Sequence, residues 1–181
     1  MIRPIVLYGS PILRQKAIAI NRESDYLPEL IQDLWDTMYN AEGVGLAAPQ
    51  IGVSRQIFVI DARALQPPEE PPFKGVFINP RILQRASIWT THEEGCLSIP
   101  GIREEIARPE NIEIEYYDEN FQLQRSTFSG IVARIIQHEY DHLIGRLFVD
   151  YLSPLKRQLL RKRLRSVSNG KVEAHYPTTY V

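Results

Sequence analysis

Cysteine is nearly absent from this sequence: Cys96 is the only one. No disulfide can form within the chain, and a reducing cytoplasm is the expected setting. Long apolar runs are absent too. Ile5 to Tyr8 is far too short for the core of a signal peptide, and nothing approaches the ~20 apolar residues of a membrane span. A dominant charge sign is also missing, because 21 Lys and Arg face 22 Asp and Glu. That balance gives no global field for DNA or an acidic membrane. With no repeat and no linker-like boundary, residues 1–181 are expected to form a single domain.

What is present is periodic. Leu27, Leu30, Ile31, Leu34, Trp35 and Met38 recur at helical spacing, and Gly43 marks the expected end of that helix. Gln56–Asp61 reads as a buried strand, and Val76–Asn79 as another, stopped by Pro80. Between them, Gln66–Pro72 holds four prolines and two glutamates and reads as a stiff surface loop. Ile82–Thr91 is expected to be extended. Asn111–Tyr117 alternates with period two, Asp118-Glu119-Asn120 is its turn, and Gln122–Thr127 its return strand. A second helix should open at Gly130 and close at Gly145. A third starts at Ser153-Pro154, a hydroxyl cap followed by a proline at the first helical position, and fades near Ser168-Asn169-Gly170. Residues 171–181 are expected to add a final strand. Helices with mainly antiparallel strands and no βαβ alternation predict an α+β fold. Its antiparallel sheets would pack around the second helix as a central one, with an N-terminal and a C-terminal helix beside it.

The chemistry sits in the second helix, at His138-Glu139-Tyr140-Asp141-His142. Histidines at i and i+4 share a helical face, so both imidazoles can meet one ion while Glu139 stands beside it as a base. Ile131, Ile135, His138 and His142 fall on one stripe. Two histidines among apolar neighbours need a common partner to offset their desolvation. A catalytic site needs a third protein ligand. A lone cysteine is ordinarily just a small buried side chain, but no better third ligand follows His142, and Cys96 has Gly95 beside it to allow close approach.

Three segments together resemble one family. Gly43-Val44-Gly45-Leu46-Ala47-Ala48-Pro49-Gln50, Glu94-Gly95-Cys96-Leu97-Ser98 and Gln137-His138-Glu139-Tyr140-Asp141-His142 match, in order, the three motifs of the peptide deformylases. The similarity extends from about Ile5 to Leu155. It implies removal of the formyl group from the N-terminal formylmethionine of new polypeptides, with N-formylmethionyl peptides as partners. It implies Cys96, His138 and His142 as metal ligands, a metal-bound water as nucleophile and Glu139 as general acid/base. It further implies Gln50 and the Leu97 N–H as the oxyanion hole, and the Gly45 backbone as holder of the formyl amide. Gly43, Val44 and Gly45 would dock the peptide. Val44, Ile131, Ile135 and the His138 ring would wall the methionine side chain, with the Arg134 stem at its edge. One divalent ion per chain is implied, Fe²⁺ in the cell, with Zn²⁺, Ni²⁺ or Co²⁺ as other occupants. Glu94, Gln137 and Asp141 are candidates for orienting ligands or pairing with Arg103 or Arg108.

Two other readings stay open at this point. A zincin-type HExxH metallopeptidase would use the same helix with a third ligand other than Cys96. A structural metal would need a fourth ligand, for which His92 and His175 are the nitrogen candidates. The third helix carries Lys156, Arg157, Arg161, Lys162, Arg163 and Arg165 without an acid among them. That run is expected to be a solvated face over inward-packed Leu155, Leu159, Leu160 and Leu164; a transient ribosome contact is the functional reading.

Overall fold

The computed structural model describes residues 1–24 and 26–180. Strands β1 (Ile5–Val6), β2 (Gly45–Ala47), β3 (Ile57–Asp61), β4 (Lys74–Arg85), β5 (Trp89–Cys96), β6 (Ile99–Pro109), β7 (Asn111–Tyr117), β8 (Leu123–Ser129) and β9 (Thr178–Thr179) join helices α1 (Leu27–Asn40), α2 (Gly130–Leu143) and α3 (Pro154–Ser168). An antiparallel five-stranded sheet runs in the order β2-β3-β4-β7-β8. β5 and β6 form a separate hairpin, and β1 pairs in parallel with β9.

The patterns that announced the elements also bury them. α1 turns Leu27, Leu30, Leu34 and Met38 inward. β7 buries Ile112, Ile114 and Tyr116 and presents the residues between them outward. In the core that β7 shares with α2, Phe58 and Phe77 stack with ring centroids 4.8 Å apart, both fully buried. Each such side chain contributes roughly 1.5–3 kcal/mol. α3 has the predicted cap, with Ser153 Oγ accepting from Lys156 N–H at 3.3 Å.

α2 differs from a helix with one apolar stripe. It is buried on nearly every side, and Arg134, Gln137, Glu139, Asp141 and His142 are all buried with its apolar residues. It lies between a core shared with β3, β4 and β7 and the cleft described below. Its end is set by Gly145 at φ +72°, which lets the Arg146 N–H return to the Asp141 carbonyl at 2.8 Å.

Three expectations need correction. Pro80 does not stop its strand. β4 continues to Arg85, because Asn79 takes φ +49° and the register slips between Ile78 and Arg81, so the proline sits in a bulge where no ladder bond is required of it. Leu155 and Leu159 do not pack inward: they are 67% and 73% exposed, and α3 buries Leu160, Leu164 and Val167 instead. α1 ends at Asn40, and Gly43 lies beyond its cap with its N–H bonded to the Met38 carbonyl at 2.9 Å. The tail does add a strand, β9; Val181 lies outside the described residues.

Candidate metal centre

The ligand atoms of Cys96, His138 and His142 all lie within 4.8 Å of one another. Two elements deliver them. α2 presents both histidines from one face, their rings 5.3 Å apart. Cys96 comes from the end of β5, where the hairpin register slips between Gly95 and Cys96 and Leu97-Ser98 make a tight turn. A side-chain carbon on Gly95 would stand 2.9 Å from Arg103 Nη1, the flexible end of an exposed side chain. Cys96 Sγ lies 3.3 Å from His142 Nε2, and a tetrahedral ion with such ligands holds its donors roughly 3.3–3.8 Å apart. His92 and His175, the candidates for a fourth ligand, do not join this group among the described residues. A thiolate and two imidazoles with a fourth position left open suit a catalytic divalent ion, not a closed structural one.

A buried charge network fixes His138. Its Nδ1 donates to Glu94 Oε2 at 3.0 Å. Arg108 donates to both oxygens of Glu94, at 2.7 and 3.0 Å, and Arg134 donates to Oε1 at 2.7 Å. Arg108 also reaches Asp141 at 2.7 Å, and the Tyr151 hydroxyl completes that carboxylate. Burial alone would raise the pKa of Glu94, but hydrogen bonds from His138 and Arg108 outweigh it and hold Glu94 well below the usual carboxylate range. Burial likewise opposes a charged His138, yet Cys96 and Glu94 hold its pKa well above the ordinary value. His142, also buried and facing His138, is held well below.

Glu139 stands against β2. A side-chain carbon on Gly45 would sit 2.5 Å from Glu139 Oε1, so only glycine admits the carboxylate there. Oε2 is buried without a hydrogen-bond partner among the described residues. Burial pushes the pKa of Glu139 up to about 7, against the opposing field of His138. Gln50 is held by its own turn: its Oε1 accepts from the Ala47 N–H at 2.9 Å, which aims Nε2 at Ser98 Oγ, 3.2 Å away, and Cys96 Sγ, 3.5 Å away.

A cleft of about 920 Å³ runs over these groups. It brings together Gly43, Val44, Gly45, Gln50, Cys96, Leu97, Ile131, Ile135, His138 and Glu139, with His142 immediately behind. Arg134 lines it as well. Of the suggested orienting residues, Glu94 and Asp141 pair with Arg108, whereas Arg103 pairs with Glu93 and Gln137 donates to the Pro109 and Ala133 carbonyls. Ser98, which stands in the second motif, Tyr151 and Tyr176 are given no role by the sequence reading. Nothing in the linear pattern marks a residue whose partner lies on another element.

Fold and site together are those of a metal-dependent hydrolase. The family model for polypeptide deformylase matches residues 2–158. A peptide deformylase of Christiangramia forsetii is 46% identical over 97% of this chain and 94% of its own, and one of Salinibacter ruber is 45% identical over 98% and 94%. The crystal structure of a peptide deformylase from Legionella pneumophila superposes with a TM-score of 0.83 at 39% identity, covering 94% of this chain and 98% of that one. A Met-Ala-Ser-bound class I type b peptide deformylase from Acinetobacter baumannii superposes with a TM-score of 0.79 at 34% identity, covering 84% and 99%. The chain belongs to the peptide deformylase family, enzymes that remove the formyl group from new polypeptides. The zincin reading, which needed a third ligand other than Cys96, is set aside.

The network makes a stability prediction. Arg108→Ala strands Glu94 and Asp141 with fewer partners in a buried site, at a cost of about 3 kcal/mol. Urea unfolding should show a lowered midpoint, and an unchanged midpoint would mean that Arg108 is dispensable.

Proposed function

We propose that Cys96, His138 and His142 hold one divalent ion and that Glu139, Gln50 and the Leu97 N–H carry out deformylation beside it. The observation that carries this reading is the convergence of three ligand atoms within 4.8 Å next to a buried carboxylate with a free oxygen. A divalent ion bound there would polarise the formyl carbonyl and lower the pKa of a water to ~7 in favourable cases. Glu139 Oε2 takes the proton released at attack and returns it to the departing amine, and a pKa of about 7 suits it to both transfers. Gln50 Nε2 and the Leu97 N–H donate to the oxyanion as it develops, each worth roughly 3 kcal/mol in the transition state.

The substrate enters as an extended chain. β2 is an edge strand of the sheet, so Gly43-Val44-Gly45 can take a peptide backbone alongside. Val44, Ile131, Ile135 and the His138 ring wall the methionine side chain, and the Gly45 backbone holds the formyl amide. The Met-Ala-Ser peptide bound by the Acinetobacter relative supports this substrate class. The whole chain acts as one catalytic domain, and its setting is the cytoplasm. No helix among the described residues is long and apolar enough to cross a membrane.

The reading is tested by formate release from formyl-Met-Ala-Ser. Glu139→Gln should lose about 10³-fold in kcat while keeping one metal per chain; full activity would remove Glu139 from the mechanism. Fe²⁺ is the proposed cellular ion, with Zn²⁺, Ni²⁺ or Co²⁺ as substitutes. Iron-loaded enzyme should lose activity in air and regain it with fresh Fe²⁺, whereas indifference to oxygen would argue for zinc.

The exposed face of α3 supports a ribosome contact. Arg157, Arg161 and Arg165 recur every four residues and form no ion pair among the described residues, and the exposed Leu155 and Leu159 stand on the same helix. Reversing these three arginines to glutamate should abolish cosedimentation with ribosomes and leave kcat on a short peptide intact. Undiminished cosedimentation would leave the face merely solvated.

A further inference from the structure

The segment after α3 has no part in the reading above, yet it returns to the site. β9 pairs with β1, placing Ile5 opposite Thr178 and Val6 opposite Thr179. The Ile5 N–H donates to the Pro177 carbonyl at 2.8 Å, and the Leu7 N–H to the Thr179 carbonyl at 3.0 Å. This pairing seats Tyr176 against the turn that follows Cys96. The Tyr176 ring is buried in the core that also holds Leu34, Met38 and Leu46. Its hydroxyl donates to the Leu97 carbonyl at 2.8 Å.

That turn lies where the β5–β6 register slips, so the ladder alone does not hold it. Three bonds from elsewhere do. The Tyr8 N–H donates to the Ser98 carbonyl at 2.8 Å, Gln50 Nε2 to Ser98 Oγ at 3.2 Å, and Tyr176 to Leu97. Among the described residues, Tyr8 and Gln50 bond to Ser98, and the bond from Tyr176 goes to Leu97 itself.

We propose that Tyr176 is a positioning residue for deformylation, its hydroxyl holding the Leu97-Ser98 turn so that the Leu97 N–H stays aimed at the developing oxyanion. The inference rests on the reading of Leu97 and Gln50 as oxyanion donors. Small displacements at such a donor matter, because a misplacement of about 1 Å can cost 10²-fold in rate. The tail thereby does two separable jobs. Glu173, Ala174, His175 and Tyr176 form part of the cleft wall, which bears on substrate binding. The Tyr176 hydroxyl bears on turnover.

Tyr176→Phe in the metal-loaded enzyme separates them, because it keeps the ring and removes the donor. Its kcat should fall roughly five- to tenfold, with KM changed less than twofold and one metal per chain retained. Hydrogen exchange followed by mass spectrometry should quicken in peptides covering Leu97 and Ser98. Unchanged kcat, unchanged exchange, or activity lost only in step with metal would each overturn the proposal. Gln50→Ala is measured beside it and should lose about 10²-fold in kcat. If Gln50→Ala keeps full kcat, the oxyanion reading fails and the Tyr176 proposal with it. If Gln50→Ala is impaired while Tyr176→Phe is not, the Tyr176 proposal alone fails.

Discussion

The carboxylate of Glu94 is the point on which the site turns. It lies buried near the end of β5 and accepts from Arg108 on β6 and from Arg134 and His138 on α2. An ionised carboxylate in such a place is tolerable only when its lone pairs are filled by cations, and here they are. Four charged or chargeable side chains from three elements must therefore meet in one geometry. The same meeting sets the ring of His138, whose Nδ1 is committed to Glu94. Arg108 carries the constraint on to Asp141, and Tyr151 extends it to the turn beyond α2. The network's contribution is registry more than net stability, because replacing a buried ion pair by apolar groups is often neutral. What it provides is a fixed relation between the hairpin bearing Cys96 and the helix bearing both histidines.

A second constraint is close approach of backbone to side chain. Glu139 is pressed against Gly45 on an edge strand, the strand proposed above to dock the peptide. The proposed base and the proposed docking edge thus share one contact. Gln50 follows the same economy. One end of its amide is fixed by the Ala47 N–H, and the other end is thereby aimed at Ser98 Oγ and Cys96 Sγ.

Much of this was legible in the chain. The i, i+4 histidines, the alternation of β7 and the Ser153-Pro154 cap each rest on short-range periodicity, and each formed as read. Pro80 was misread because a bulge relieves a proline of its missing donor, and a bulge depends on the partner strand. Leu155 and Leu159 were misplaced because α3 meets the body along a narrower stripe than its leucines alone imply. The pairing of Glu94 with Arg108 in preference to Arg103 follows from the hairpin. Arg103 and Glu93 face solvent, while Arg108 and Glu94 face α2.

The sequence by itself determined the local chemistry: which residues can bind a metal, where one helix places two of them, and three ordered motifs specific enough to point to a family. Those properties are carried by the order of residues and by helical and extended periodicities. Only the tertiary structure decided that Cys96 meets the histidines, that Glu139 rests on Gly45 with a free buried oxygen, and that Tyr176 reaches the Leu97 carbonyl from the far end of the chain. The reason is physical. A bond between residues 79 positions apart is set by how sheets, hairpin and tail pack, and packing satisfies all of its burial and hydrogen-bond requirements at once.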